Sequence, residues 1–330
     1  MTGTFARGLI AGAAGTTALS AVTYLDMALH GGPASTLPAE TADALAAAAG
    51  RPVSGRGDAR EARRTGLGAL TGVVNGLGVG LLASLARGAG VRFPGPVGAV
   101  VTGAASMAAA DLPAAALGVG GRRGWAAAAW AGDAVPHLAY GTAVQAVISS
   151  LPTPAERALP RQKARAGLVG RSLLLGVAAG SRSSLGLAAP TLTARDTGAL
   201  KKLWSLTSLT AELVADKQPD APPRTSGAGL PVRLAGGACG GGLLARRAGA
   251  NAALPTVAGL AGAAVGTWGG LGWRRWAADR MPAGEAALLE DGVAIVLSLV
   301  ACLPGRRRST RLSRVRLPDP PSRPTPGRGR

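Results

Sequence analysis

The feature that most constrains this chain is a recurring unit: apolar stretches of about twenty residues, each closed by arginine, proline or a turn. That is the length an α-helix needs to cross a hydrocarbon core. The clearest are Gly8–Met27, Gly66–Ala86, Pro96–Gly121, Gly124–Leu151 and Ala252–Trp273. Ser172–Leu192, Gly227–Ala245 and Pro282–Pro304 complete the set, each with charge within or near its span. The pattern predicts an all-α, polytopic membrane protein with about eight transmembrane helices, placed in the cell membrane as a multi-pass protein.

A chain with 51 glycines and abundant alanine can also be of low complexity and unfolded. Disorder scatters its charges, however, and here Ala252–Trp273 carries none before Arg274. The formal charge of +19 raises the question of nucleic acid. Nearly all the basic residues are arginines lying between the apolar spans or in the tail, with no interleaved aromatic face. That placement serves topology and anionic lipid headgroups, so the lipid bilayer is the expected partner and nucleic acid is not. Arg7 before the first span resembles the start of a signal peptide, but the span runs on to Asp26 and His30 without a small-residue cleavage site. It is expected to be a retained helix.

The apolar rhythm breaks at residues 152–167, where prolines and basic residues alternate. This divides the chain into a four-helix module over 1–151, a basic linker over 152–167, a second four-helix module over 168–304, and an Arg/Pro-rich tail over 305–330 expected to be disordered. Pro33–Gly50 is too short to cross and predicts a surface or re-entrant helix, followed by a polar loop over Arg51–Arg64. Residues 195–225 mix charges with Trp204, Leu206 and Leu209, which predicts an interfacial helix stopped by Pro219, Pro222 and Pro223. Lys and Arg are slightly more numerous on the side of the N-terminus, the linker and the tail, so both termini are expected in the cytoplasm.

Small residues recur four apart at Gly8/Gly12, Gly72/Gly76/Gly80, Gly237/Gly241 and Gly262/Gly266/Gly270. Such stripes let helix backbones approach closely, within the chain or by self-association. None is a phosphate loop, because no GxxxxGK[ST] occurs. Asp216-Lys217 before Pro219 is echoed by Asp279-Arg280 before Pro282, the form a duplicated helix pair would take.

Gly180-Ser181-Arg182-Ser183, the Glu212-Leu-Val-Ala-Asp216-Lys217-Gln-Pro219 stretch with Pro222 and Arg224, and the Glu290-Asp291 pair carry a resemblance. Over about Gly170 to Gly305 the chain resembles an uncharacterised family of bacterial integral membrane domains, domain of unknown function forty-one twenty-six. The resemblance implies a compact helical membrane domain in which Glu212, Asp216, Lys217 and Arg224 are motif residues, and it brings no settled activity. The first half is similar to small four-helix bacterial inner-membrane proteins with a His-x-x-Tyr-Gly element, here His137 to Gly141, from which it departs at Asp133 and Pro136.

Two constellations could carry chemistry. Asp133, His137 and Tyr140 share one helical stripe, with Pro136 removing a backbone hydrogen bond beside it and Asp26 and Asp111 as candidate partners from other spans. Ionisable groups at membrane depth mark a pathway or a polar seam, and histidine is the side chain most easily titrated near neutrality. Arg182, in mid-span, needs a counter-charge, and Glu290 and Asp291 are the natural candidates for an intramembrane ion pair. No catalytic motif, metal-ligand spacing or cofactor signature occurs, so no catalytic residue, metal or cofactor is assigned. The two functional expectations are passage of a small solute or ion past the Asp/His face, and a non-catalytic scaffold or accessory subunit whose basic tail grips lipid or a partner.

Overall fold

The computed structural model describes residues 3–119, 127–159, 162–216, 225 and 229–303. Within them every regular element is a helix, and there is no strand. The order is α1 (Thr4–His30), α2 (Leu37–Ala48), α3 (Gly57–Gly88), α4 (Gly95–Ala116), α5 (Ala127–Ser150), α6 (Pro154–Ala158), α7 (Ala166–Ser181), α8 (Leu185–Thr193), α9 (Ala199–Ala215), α10 (Gly229–Arg247), α11 (Ala253–Ala277) and α12 (Ala283–Cys302). By length and composition α1, α3 and α4 are apolar enough to cross a membrane. Their outward faces agree with that, since Leu9, Ile10, Leu70, Val74, Leu82, Val100 and Val101 are exposed.

Local chemistry sets the boundaries. Proline opens α2, α4 and α6 at the first turn, where its missing N–H costs nothing. Gly31 closes α1 in the left-handed conformation at φ 69°. The polar loop expected over Arg51–Arg64 is shorter than the pattern implied, because α3 already begins at Gly57. Arg60 and Arg64 in its first turns both bind Asp43 of α2, at 2.8 and 3.2 Å, which ties the short helix to the long one.

Helix packing falls into two sets, α1 to α6 and α7 to α12. In the first, α1 runs antiparallel to α3 and α5, and α4 antiparallel to α5. In the second, α7 and α11 run parallel, and α10 runs antiparallel to both. Backbones touch through glycine in each set: a Cβ on Gly12 would lie 2.7 Å from the Gly76 carbonyl, on Gly141 2.0 Å from that of Ala99, and on Gly266 2.1 Å from that of Val177. The stripes through Gly8/Gly12, Gly76/Gly80, Gly237/Gly241 and Gly262/Gly266 are therefore taken up inside the chain, while Gly72 meets no neighbouring atom.

The sets meet at loops. The segment after α3 reaches the α10–α11 turn, where Ala252 donates its N–H to the Gly90 carbonyl at 3.0 Å and Asn251 donates to Gln162 at 2.7 Å. Gly90 stands at φ 100°, a conformation that favours glycine. Val91 packs there against the core cluster that holds Ala245 and Ala252.

Candidate functional site

The second set builds its charged site around a helix that does not run through. The span expected over Ser172–Leu192 is interrupted: α7 ends at Ser181 and α8 starts at Leu185. Arg182, expected in mid-helix, caps α7 in an extended conformation, φ −137° and ψ 105°. Serines on both sides favour such a break, since their hydroxyls compete for backbone groups. The amides released by the break are satisfied from α9. Glu212 accepts from the N–H groups of Ser183 and Ser184 and from the Ser183 hydroxyl, each at 2.7 Å. Burial pushes the Glu212 carboxyl up, but these hydrogen bonds outweigh it and hold the group below its usual value.

Arg182 is completely buried, at 0% exposure. Its guanidinium contacts Asp216 at 2.7 Å and Asp291 at 2.5 Å. The sequence expectation of a pair with Glu290 or Asp291 is thus refined. Asp291 meets Arg182, Asp216 supplies a second acid, and Glu290 binds Arg274 at 3.0 Å. Asp216 is the junction, reaching Arg274 at 3.2 Å and Arg233 at 3.8 Å as well. Arg233 also donates to the Ser181 carbonyl at 2.8 Å, one of the acceptors left at the end of α7. Three arginines and four carboxylates from α7, α9, α10, α11 and α12 therefore close over one helix break. The ion pair and the motif residues Glu212 and Asp216, separate in the sequence, form one network. Lys217 and Arg224 lie outside the described residues, as does the tail.

The first set places its expected residues differently. His137 is buried, and its Nδ1 lies 2.8 Å from the backbone carbonyl of Asp133 and 3.9 Å from that residue's carboxylate. Asp133 is 50% exposed on its side chain, and Asp111 of α4 lies close enough to feel its charge and that of His137. Tyr140 departs from this polar group: it is fully buried among Ala11, Val79, Val144 and Ile148, and its hydroxyl donates to the Gly76 carbonyl at 2.5 Å. Asp26 pairs with His30 at 3.0 Å on the exposed end of α1. The stripe thus has a polar end and a packed end, because glycines on α1 and α3 let the tyrosine ring seat between backbones.

Sequence reasoning missed a third cluster. Arg7 is fully buried and binds Glu156 of α6, the Ser84 hydroxyl at 3.0 Å and the Ser84 carbonyl at 3.1 Å. Arg87 holds the other carboxylate oxygen of Glu156 at 2.6 Å, and Arg92 donates to its backbone carbonyl. The segment expected to be a basic linker therefore carries a short helix whose acid ties down the ends of α1 and α3. Burial pushes the Glu156 carboxyl up, and the hydrogen bonds and charge of Arg7 and Arg87 more than reverse this, leaving it low. The available signal was that Glu156 is the lone acid between Asp133 and Asp196.

Among the described residues, no group of three or more His, Cys, Asp or Glu is placed to hold a metal ion. Cys239 and Cys302 are free thiols. The network around Arg182 is chemically suited to exchanging one charged partner for another, since each arginine faces more than one acceptor. The chain matches no family model, no curated protein and no solved structure.

Proposed function

We propose that this is a multi-pass membrane protein of eight spans in two four-helix modules, with both termini cytoplasmic, and that it passes a small charged solute or ion across the bilayer. The solute is handled in the second module, at the Arg182 network, and the Asp111/Asp133/His137 group forms a secondary polar surface of the first. One observation carries the reading: a fully buried arginine stands at an interrupted helix, held by acids from two other helices. Interrupted helices are where membrane transport proteins bind ions, because the break frees backbone donors and acceptors away from water. The residues on which the resemblance to the bacterial membrane-domain family rests, Arg182, Glu212, Asp216, Glu290 and Asp291, all support a shared site here. The Arg-rich tail serves as a contact for anionic lipid headgroups.

The test is flux of small anions and cations into vesicles reconstituted with the purified protein. Wild type should exceed protein-free vesicles for one charge class, and Arg182→Lys should cut that flux at least about tenfold, because lysine lacks the planar multi-donor fork that binds two acids at once. A folded, reconstituted protein that moves no charged solute sinks this reading and leaves the scaffold alternative, which the mutual pairing of the network's charges favours.

A further inference from the structure

Helix α9 differs from every other helix of the second set. It buries no residue, and its helix packing is against α8. One edge carries Glu212 and Asp216, which enter the charge network, with Leu209 packed beside Ala178, Leu185 and Ala294. At 100° per residue, Leu200, Leu203, Trp204 and Val214 fall on the far side. They are exposed, Leu200 at 80% and Trp204 at 74%. Lys201 is exposed three positions before Trp204, whereas Lys202 lies on the half-buried inner side.

We infer that α9 is a latch seated in the bilayer interface: its apolar face docks on lipid, and that docking holds Glu212 and Asp216 in the Arg182 network and covers the break between α7 and α8. The occupant of the exposed face is the lipid surface for three reasons. Exposed Trp204 beside Leu200 and Leu203, with the exposed Lys201 one turn away, is the composition of a helix lying at the headgroup level over anionic lipid. The neighbouring α8 also exposes an apolar residue, Leu187, so apolar exposure is not confined to α9. The chain contains helices apolar enough to set it in a membrane, which puts lipid beside it. The attachment on the inner edge is mainly ionic and hydrogen-bonded, a type of contact that can be exchanged without opening a packed core. Withdrawing α9 uncovers the N–H groups of Ser183 and Ser184 and the guanidinium of Arg182. The latch is thus a gate for whatever enters the break, and it does not depend on transport for its test.

The experiment uses the full chain in nanodiscs containing anionic lipid, with Cys239→Ser and Cys302→Ala. A spin label on Leu200→Cys should be relaxed more by oxygen than by an aqueous nickel complex; the reverse order overturns the docking on lipid. Separately, Ser184→Cys should react slowly with an impermeant thiol reagent. The rate should rise at least about tenfold when Glu212→Gln and Asp216→Asn remove the inner attachment, since a tenfold change corresponds to no more than one hydrogen bond to a charged group, and it should also rise at least about tenfold when Leu203→Glu disturbs the lipid face. An unchanged rate in either arm overturns the coupling. Ser172→Cys, on the buried face of α7, reports unfolding in each background. Where it becomes reactive, the other arm decides.

Discussion

The side-chain amide of Asn251 pairs with the main chain of Arg92 in both directions. Its Nδ2 donates to the Arg92 carbonyl at 2.9 Å, and its Oδ1 accepts the Arg92 N–H at 3.2 Å. The same Oδ1 also accepts from Ala253 at 2.9 Å, at the start of α11. A residue in a helix turn of the second set thereby does for the first set what a strand partner would do. The helices of the two sets make little contact across the divide, so this pair and its neighbouring loop bonds carry the joint.

Asn251→Ala should therefore weaken the joint, and within the second set it removes only the bond to Ala253 at the start of α11. Each hydrogen bond is worth about 1 kcal/mol net, so the loss should be about 1–3 kcal/mol. Co-expressing residues 1–159 and 160–330 as separate chains gives the readout. The fragments should co-purify in wild type and separate more readily in the variant. Equal recovery would show that apolar contact at Val91 holds the sets together instead.

Glu156 predicts an acid limb in the stability profile. Its folded value lies below the ordinary one near 4.5, so the unfolded chain takes up the proton first. The stabilisation is complete above the unfolded-chain value and is lost as the pH falls through the lowered folded value. Thermal unfolding in detergent should thus show a fall in midpoint on acidification below about pH 4.5. Glu156→Gln should cost about 3–5 kcal/mol of stability at neutral pH, read as a lower midpoint, because Arg7 is left buried without its acid, and should flatten the acid limb. An acid limb of undiminished size in the variant would assign it to other carboxylates.

The glycine contacts predict opposite outcomes for one substitution. In Gly266→Ala the new methyl would meet the Val177 carbonyl at 2.1 Å, backbone against backbone, with no flexible side chain to move aside. Folded protein should fall sharply. Gly72→Ala adds its methyl where no atom lies within 4 Å, and alanine is the better helix former by up to about 1 kcal/mol. That variant should match or exceed wild type in melting temperature. Equal damage from both would mean that glycine is needed for its backbone freedom and not for helix approach.

The buried network predicts non-additivity. Arg182→Met alone leaves Asp216 and Asp291 facing a low-dielectric interior and should cost about 3–5 kcal/mol. Adding Asp291→Asn should recover part of the loss instead of deepening it, since the pair at 2.5 Å is removed as a unit. The recovery of folded protein across this cycle is the measurement. Strictly additive losses would argue against direct coupling.

The polar stripe of α5 predicts unequal access along its length. Cysteine at Asp133, half exposed, should react with a water-soluble thiol reagent, while one at Tyr140 should be protected, because that position is sealed against Gly15 and Gly76. Reaction at both would place water along the whole stripe and restore the first set as a route for solute.

The sequence by itself determined that the chain is helical and where most of its long apolar helices lie. Apolar runs of bilayer length favour helices, and three of them, in α1, α3 and α4, are long and apolar enough to cross a membrane, where a helix satisfies its own backbone hydrogen bonds. The start of α4 and the close of α1 follow from residue chemistry at those positions, with Pro96 in the first turn and Gly31 at the end. The glycine stripes were legible as packing faces for the same reason, a spacing of four. What only the tertiary structure decided is which charges meet. A carboxylate in a polar stretch such as Asp216 or Glu156 reads as solvated until a distant helix brings an arginine to it, and sequence spacing carries no such information. The break at Arg182 belongs to the same class. Ser181, Ser183 and Ser184 permit it, but the chain opens there because Glu212, 28 or more positions away, accepts the amides that the break releases. Local pattern fixes which backbone groups need partners, and long-range packing chooses the partners.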